Sequence, residues 1–108
     1  MKIFAPLLAA AAATVLAAGA HAADAKAAEA LAKSSGCLAC HTVDKKLVGP
    51  GYKEIADRYR ADKGASASLA EKVKAGSKGV WGDIPMPPNG HVKDADIKTI
   101  VEWILSIK

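Results

Sequence analysis

The chain has 108 residues, 51% of them hydrophobic and 24% charged, with a formal charge of +4 at pH 7. That length supports one domain, and so modest a positive charge argues against a nucleic-acid binder. A chain this short buries a small core and commonly needs a staple such as a disulfide, a metal or a bound cofactor.

At the start, Lys2 precedes an apolar run over residues 3–18 that contains Pro6, and Ala20-His21-Ala22 supplies a small-x-small cleavage site. This reads as a secretory signal peptide, residues 1–22, cleaved after Ala22. The run is shorter than the roughly 20 apolar residues of a stable span, so the mature chain, residues 23–108, is expected in the periplasm without a membrane anchor. Removing the leader takes Lys2 with it and leaves a formal charge of +3.

Residues 25–35 are rich in Ala, Lys, Glu and Leu, which predicts a helix ended by Gly36. Cys37-Leu38-Ala39-Cys40-His41 follows at once. Asp44, Gly49, Pro50 and Gly51 then give loop chemistry, and Tyr52, Ile55, Ala56 and Tyr59 recur at helical spacing. Ser68 with Glu71 predicts a capping box opening a helix through Leu69 and Val73, stopped by Gly76.

Residues 81–90 contain Pro85, Pro87 and Pro88, whose missing backbone donors exclude a helix interior or a central strand. A stiff loop presenting Met86 is expected. Ile97, Ile100, Val101, Ile104 and Leu105 form the stripe of an amphipathic helix, with Asp94 or Asp96 near its start. No segment alternates like a strand. The pattern predicts an all-α fold of four or five short helices around one core.

Cys-x-x-Cys-His is the pattern of c-type haem attachment. Two thiols three residues apart can add to vinyl groups on one edge of a porphyrin, and the adjacent His41 can turn its imidazole to the iron as proximal ligand. The haem then becomes the centre of a core that so short a chain could not otherwise fill. Competing readings are a Cys37–Cys40 disulfide, a thioredoxin-like redox motif and a zinc site. The redox motif would need a βαβ pattern, and structural zinc wants four convergent ligands. For the sixth position of the iron, Met86 is the only thioether of the mature chain. Its competing role is gap-filling in the core, and His91 is the rival ligand.

With these residues in place, the mature chain resembles the small bacterial class I cytochromes c, specifically the cytochrome c-551 and c-552 group. The likeness covers residues 25–108, most specifically 36–41, 48–53 and 79–89. It implies the cytochrome c fold around one covalently bound haem c, with Cys37 and Cys40 at the thioether positions and His41 and Met86 on the iron. It further implies that the Pro50 carbonyl accepts the other N–H of the proximal imidazole. Trp81 would donate to a haem propionate, Lys72 would face a propionate, and Asn89 would hydrogen-bond near the distal sulfur. Two departures stand out. Ala30 and Ala32 replace bulkier residues, which predicts a thinner contact of the first helix with the last, and residues 90–93 are one residue longer.

A haem with both axial positions filled has no place for substrate, so these features predict a periplasmic one-electron carrier and not an enzyme. The expected partners are a membrane cytochrome complex as donor and a terminal reductase or oxidase as acceptor, met by a monomer. Lys33, Lys45, Lys46, Lys53, Lys74, Lys78 and Lys98 are candidates for steering acidic partners. Leu47, Val48, Ile55, Leu69, Val73 and Val80 are candidates for the wall of the haem crevice. The alternatives are a haem sensor or weak peroxidase with a labile Met86, and a haem-free thiol-disulfide oxidoreductase.

Overall fold

The computed structural model describes Lys2 and residues 20–108, with side chains of the first helix described from residue 25 onward. The expected signal peptide, residues 1–22, therefore lies almost wholly outside the described residues. Helix α1 runs over Ala20–Ser34, a single 3-10 turn over Cys37–Ala39, α2 over Tyr52–Tyr59, α3 over Ala65–Ala75 and α4 over Asp94–Ser106. Among the described residues there is no strand, only an isolated antiparallel bridge between Ser77 and Met86. The fold is all-α, as the periodicity predicts.

One predicted boundary is wrong. α3 begins at Ala65, so Ser68 lies inside the helix and caps nothing. The turn that starts the helix is built earlier. Asp62 accepts the Gly64 N–H on its carboxylate at 2.8 Å and the Ala65 N–H on its carbonyl at 3.2 Å. Burial of Ala65, 1% exposed, then seats the first turn against the body of the protein. The Ser68 N–H is already spent on the Gly64 carbonyl at 3.1 Å.

α4 is the hub, packing against α1, α2 and α3. Its stripe buries Ile97, Ile100, Val101 and Ile104, and each such side chain contributes about 1.5–3 kcal/mol on leaving water. Asp94 and Asp96 in the first turn complement the helix dipole. Ile100 and Ile104 join Ala32, Tyr52 and Ile55 in one cluster, while Ile97 and Val101 join Val92 in a second. At the far end, the Arg60 guanidinium donates to the Ile107 carbonyl at 2.7 Å.

α1 packs against α4 through small side chains. Ala28 and Ala32, one helical turn apart, are 1% and 0% exposed. Ala32 shares its cluster with Tyr52 of α2 and with Ile100 and Ile104 of α4. Ala30 faces solvent, so its size has no bearing on the core. With the helices settled on α4, residues 40–51 and 76–93 are left to enclose a cleft.

Candidate cofactor site

The cleft encloses about 1250 Å³ of empty space, part of it open to solvent. Cys37, Cys40, His41, Pro50, Lys72, Trp81 and Met86 all line it. Seven of the eight site residues predicted from sequence thus converge on one place, although they come from four different segments. Asn89 does not line the cleft. Neither does His91, the rival ligand, which is exposed on the surface.

His41 is held from several sides. The Cys37 carbonyl accepts both the Cys40 N–H at 3.2 Å, which closes the 3-10 turn, and the His41 backbone N–H at 3.0 Å. The His41 Nδ1 lies 2.7 Å from the Pro50 carbonyl oxygen. A carbonyl only accepts, so Nδ1 carries the hydrogen and Nε2 is the nitrogen left for a metal. The Tyr52 ring stacks on the imidazole with centroids 5.1 Å apart and planes 24° from parallel. Gly49 also touches this ring: a Cβ there would lie 2.5 Å from Cε1, so no side chain fits without displacing the imidazole. The loop itself is stitched by Gly49 N–H to the Cys40 carbonyl, 2.8 Å, and Tyr52 N–H to the Thr42 carbonyl, 2.9 Å.

The two thiols are free and half-buried. Burial pushes the Cys37 thiol up from its ordinary range, against a smaller opposing pull from the Tyr52 hydroxyl. Tyr52 is itself pushed up, first by burial and then by Cys37.

Met86 enters from the loop between α3 and α4. Its backbone exchanges two hydrogen bonds with Ser77, at 3.0 and 2.8 Å. Gly76 makes this approach possible: it adopts φ +83°, and a Cβ there would lie 2.8 Å from the Met86 carbonyl. Asn89 braces the same loop from behind, its amide donating to the carbonyls of Val73 at 3.1 Å and Pro87 at 3.2 Å.

Trp81 is fixed from outside by Arg58, whose guanidinium carbon sits 4.4 Å from the indole centroid and whose NH1 group donates to the Val80 carbonyl at 3.1 Å. Tyr59 meets the indole edge-on at 6.3 Å, and the Lys72 ammonium lies 5.9 Å from the Tyr59 ring. Sequence reasoning did not find Arg58, because a lone exposed arginine carries no signal of what it covers.

The crevice wall contains Val48, Ile55, Leu69, Val73 and Val80, as expected, but not Leu47. Leu47 is 53% exposed, since its N–H bonds to the Gly49 carbonyl in a tight turn that faces its side chain away from the cleft. Ile84, Ile100, Val101 and Ile104 complete the wall. An apolar cleft with two thiols, an imidazole of fixed tautomer and a thioether fits the donor set of a c-type haem. Among the described residues no three His, Cys, Asp or Glu side chains cluster as metal ligands.

Comparison with known proteins agrees with this chemistry. The cytochrome c family model matches residues 25–108. Cytochrome c-551 of Pseudomonas aeruginosa is 49% identical over 108 residues, the whole of both chains. Cytochrome c-552 of Nitrosomonas europaea is 54% identical over 78 residues, covering 72% of this chain and 76% of that protein. The crystal structure of wild-type Nitrosomonas europaea cytochrome c552 superposes with a TM-score of 0.73 at 52% identity, over 74% of this chain and 99% of that one. The chain belongs to the cytochrome c family. Its fold is the cytochrome c fold, and it is a small electron carrier built for covalently bound haem c.

Proposed function

We propose that residues 1–22 are a signal peptide and that residues 23–108 act as a periplasmic one-electron carrier. In this reading haem c is held by thioether bonds to Cys37 and Cys40, and its iron is ligated by His41 and Met86. The observation that carries the reading is the convergence of both thiols, the imidazole and the thioether on one apolar cleft. Among the described residues no helix is long and apolar enough to cross a membrane.

Bound there, the haem iron supplies a reversible one-electron change, and the chain's own residues set its terms. Pro50 fixes the His41 ring and strengthens it as a donor by accepting its Nδ1 hydrogen. The Met86 thioether and the apolar wall favour the reduced iron and so a higher potential. With His41 and Met86 both on the iron, no position would be left for a substrate. Trp81 and Lys72, at the cleft edge, are assigned to the haem propionates. Asn89 steadies the loop that carries Met86.

Lys45 and Lys46, exposed beside Leu47 and Val48, form a basic and apolar rim suited to brief docking. The partners are a membrane cytochrome complex as donor and a terminal reductase or oxidase as acceptor, met by the monomer. Lys74 is set apart from the other candidate lysines, because its ammonium is engaged within the fold.

The test is an absorption spectrum of protein made in a host with cytochrome c maturation machinery, followed by acid-acetone extraction. Sharp low-spin bands on reduction and haem that stays with the polypeptide are expected. A colourless product from that host would return Cys37 and Cys40 to thiol chemistry.

A further inference from the structure

Between α3 and α4 the chain runs through residues 76–93, with Met86 in their midst. It is held at Ser77, at Val80 by Arg58, at Asn89 and at Val92. Ahead of Met86 stands its paired bridge to Ser77. Behind it, the Asn89 N–H reaches the carbonyls of Val73 at 3.1 Å and Lys74 at 3.2 Å. Gly90 and His91 are then exposed. The next anchor is Lys74 again: its Nζ donates to the Val92 carbonyl at 2.7 Å and lies 2.9 Å from Asp94 Oδ1. Lys74 therefore grips the segment twice, with its own carbonyl on Asn89 and with its ammonium on Val92.

These two ammonium contacts are unequal. The Asp94 side chain is 86% exposed, so that ion pair is screened by water and adds little. The bond to the Val92 carbonyl is charge-assisted and part-buried. It closes over the Val92 side chain, 6% exposed, which packs with Ile97 and Val101. Removing the ammonium frees a backbone carbonyl at the point where the loop joins α4.

We propose that Lys74 is a positioning residue for Met86: its ammonium locks the C-terminal anchor of the loop and so keeps the thioether seated in the cleft. This rests on the reading that Met86 ligates the iron. Without the ammonium, the segment would keep its bonds at Ser77, Val80 and Asn89 but lose the one that ties the Val92 carbonyl to α3, and the thioether would leave the iron more often.

The test compares holoprotein of the wild type with Lys74→Met, Lys74→Arg and Asp94→Asn. The readouts are the weak far-red band of a ferric iron–thioether bond, the rate of carbon monoxide binding to the reduced protein, and the urea midpoint. Lys74→Met should weaken the band and speed carbon monoxide binding about tenfold, the factor that about 1.4 kcal/mol makes in an equilibrium. Lys74→Arg should restore both, and Asp94→Asn should leave both near wild type. Lys74→Met with an unchanged band and unchanged binding rate would overturn the proposal, even if its urea midpoint falls. A wild type that lacks the far-red band would instead overturn the ligand reading itself, and the proposal with it.

Discussion

The imidazole of His41 donates from Nδ1 to the Pro50 carbonyl across 2.7 Å, in a residue only 9% exposed. Eight residues separate the two, and the loop between them is closed by its own backbone bonds. Such a hydrogen exchanges with solvent only when the loop opens. Proton NMR of the holoprotein should therefore show a slowly exchanging Nδ1 hydrogen. Exchange as fast as that of a surface imidazole would mean that Pro50 does not hold the ring.

Gly49 and Gly76 perform the same service on the two loops, one against the His41 ring and the other against the Met86 carbonyl. Gly49→Ala and Gly76→Ala should each cost about 1–3 kcal/mol, the range for forcing extra volume into a packed site. Gly76 carries the additional strain of a left-handed backbone. Urea midpoints measure this directly. Wild-type stability in either variant would show that the neighbouring loop yields freely.

Ala32 is fully buried between α1 and α4, whereas Ala30 is exposed. Ala32→Phe should lower stability by about 1–3 kcal/mol through overpacking. Ala30→Leu should change it by no more than about 0.5 kcal/mol, as exposed substitutions usually do. A stabilised Ala32→Phe protein would mean that the α1–α4 contact has room to spare.

Arg58 lies over the Trp81 indole and also bonds the Val80 carbonyl. Arg58→Leu should cost about 0.5–1 kcal/mol, the value of an exposed cation–π contact. Arg58→Lys should recover part of it. Equal urea midpoints for all three proteins would leave the stacking without energetic weight.

Much of this was legible in the sequence because it was local. The Cys-x-x-Cys-His spacing, the glycines and prolines of the two loops and the period of α4 each dictate structure within a few residues. What escaped depended on distant partners. The start of α3 was set by Asp62 and by burial of Ala65, which outweighed a capping pattern at Ser68. Leu47 carried an apolar side chain and still faced outward, because the turn at Gly49 decided its direction. Arg58 carries no sequence signal and Lys74 reads as one of the lysines that could steer acidic partners, and only the fold brings them to Trp81 and Val92.

The central claim is that Met86, and not His91, completes the coordination of the iron. The most direct measurement compares ferric spectra and carbon monoxide binding of Met86→Leu and His91→Leu holoproteins with those of the wild type. Met86→Leu is expected to lose the far-red band and to bind carbon monoxide at once on reduction, while His91→Leu matches the wild type in both. Ligand binding opened by His91→Leu, with Met86→Leu unchanged, would contradict the claim.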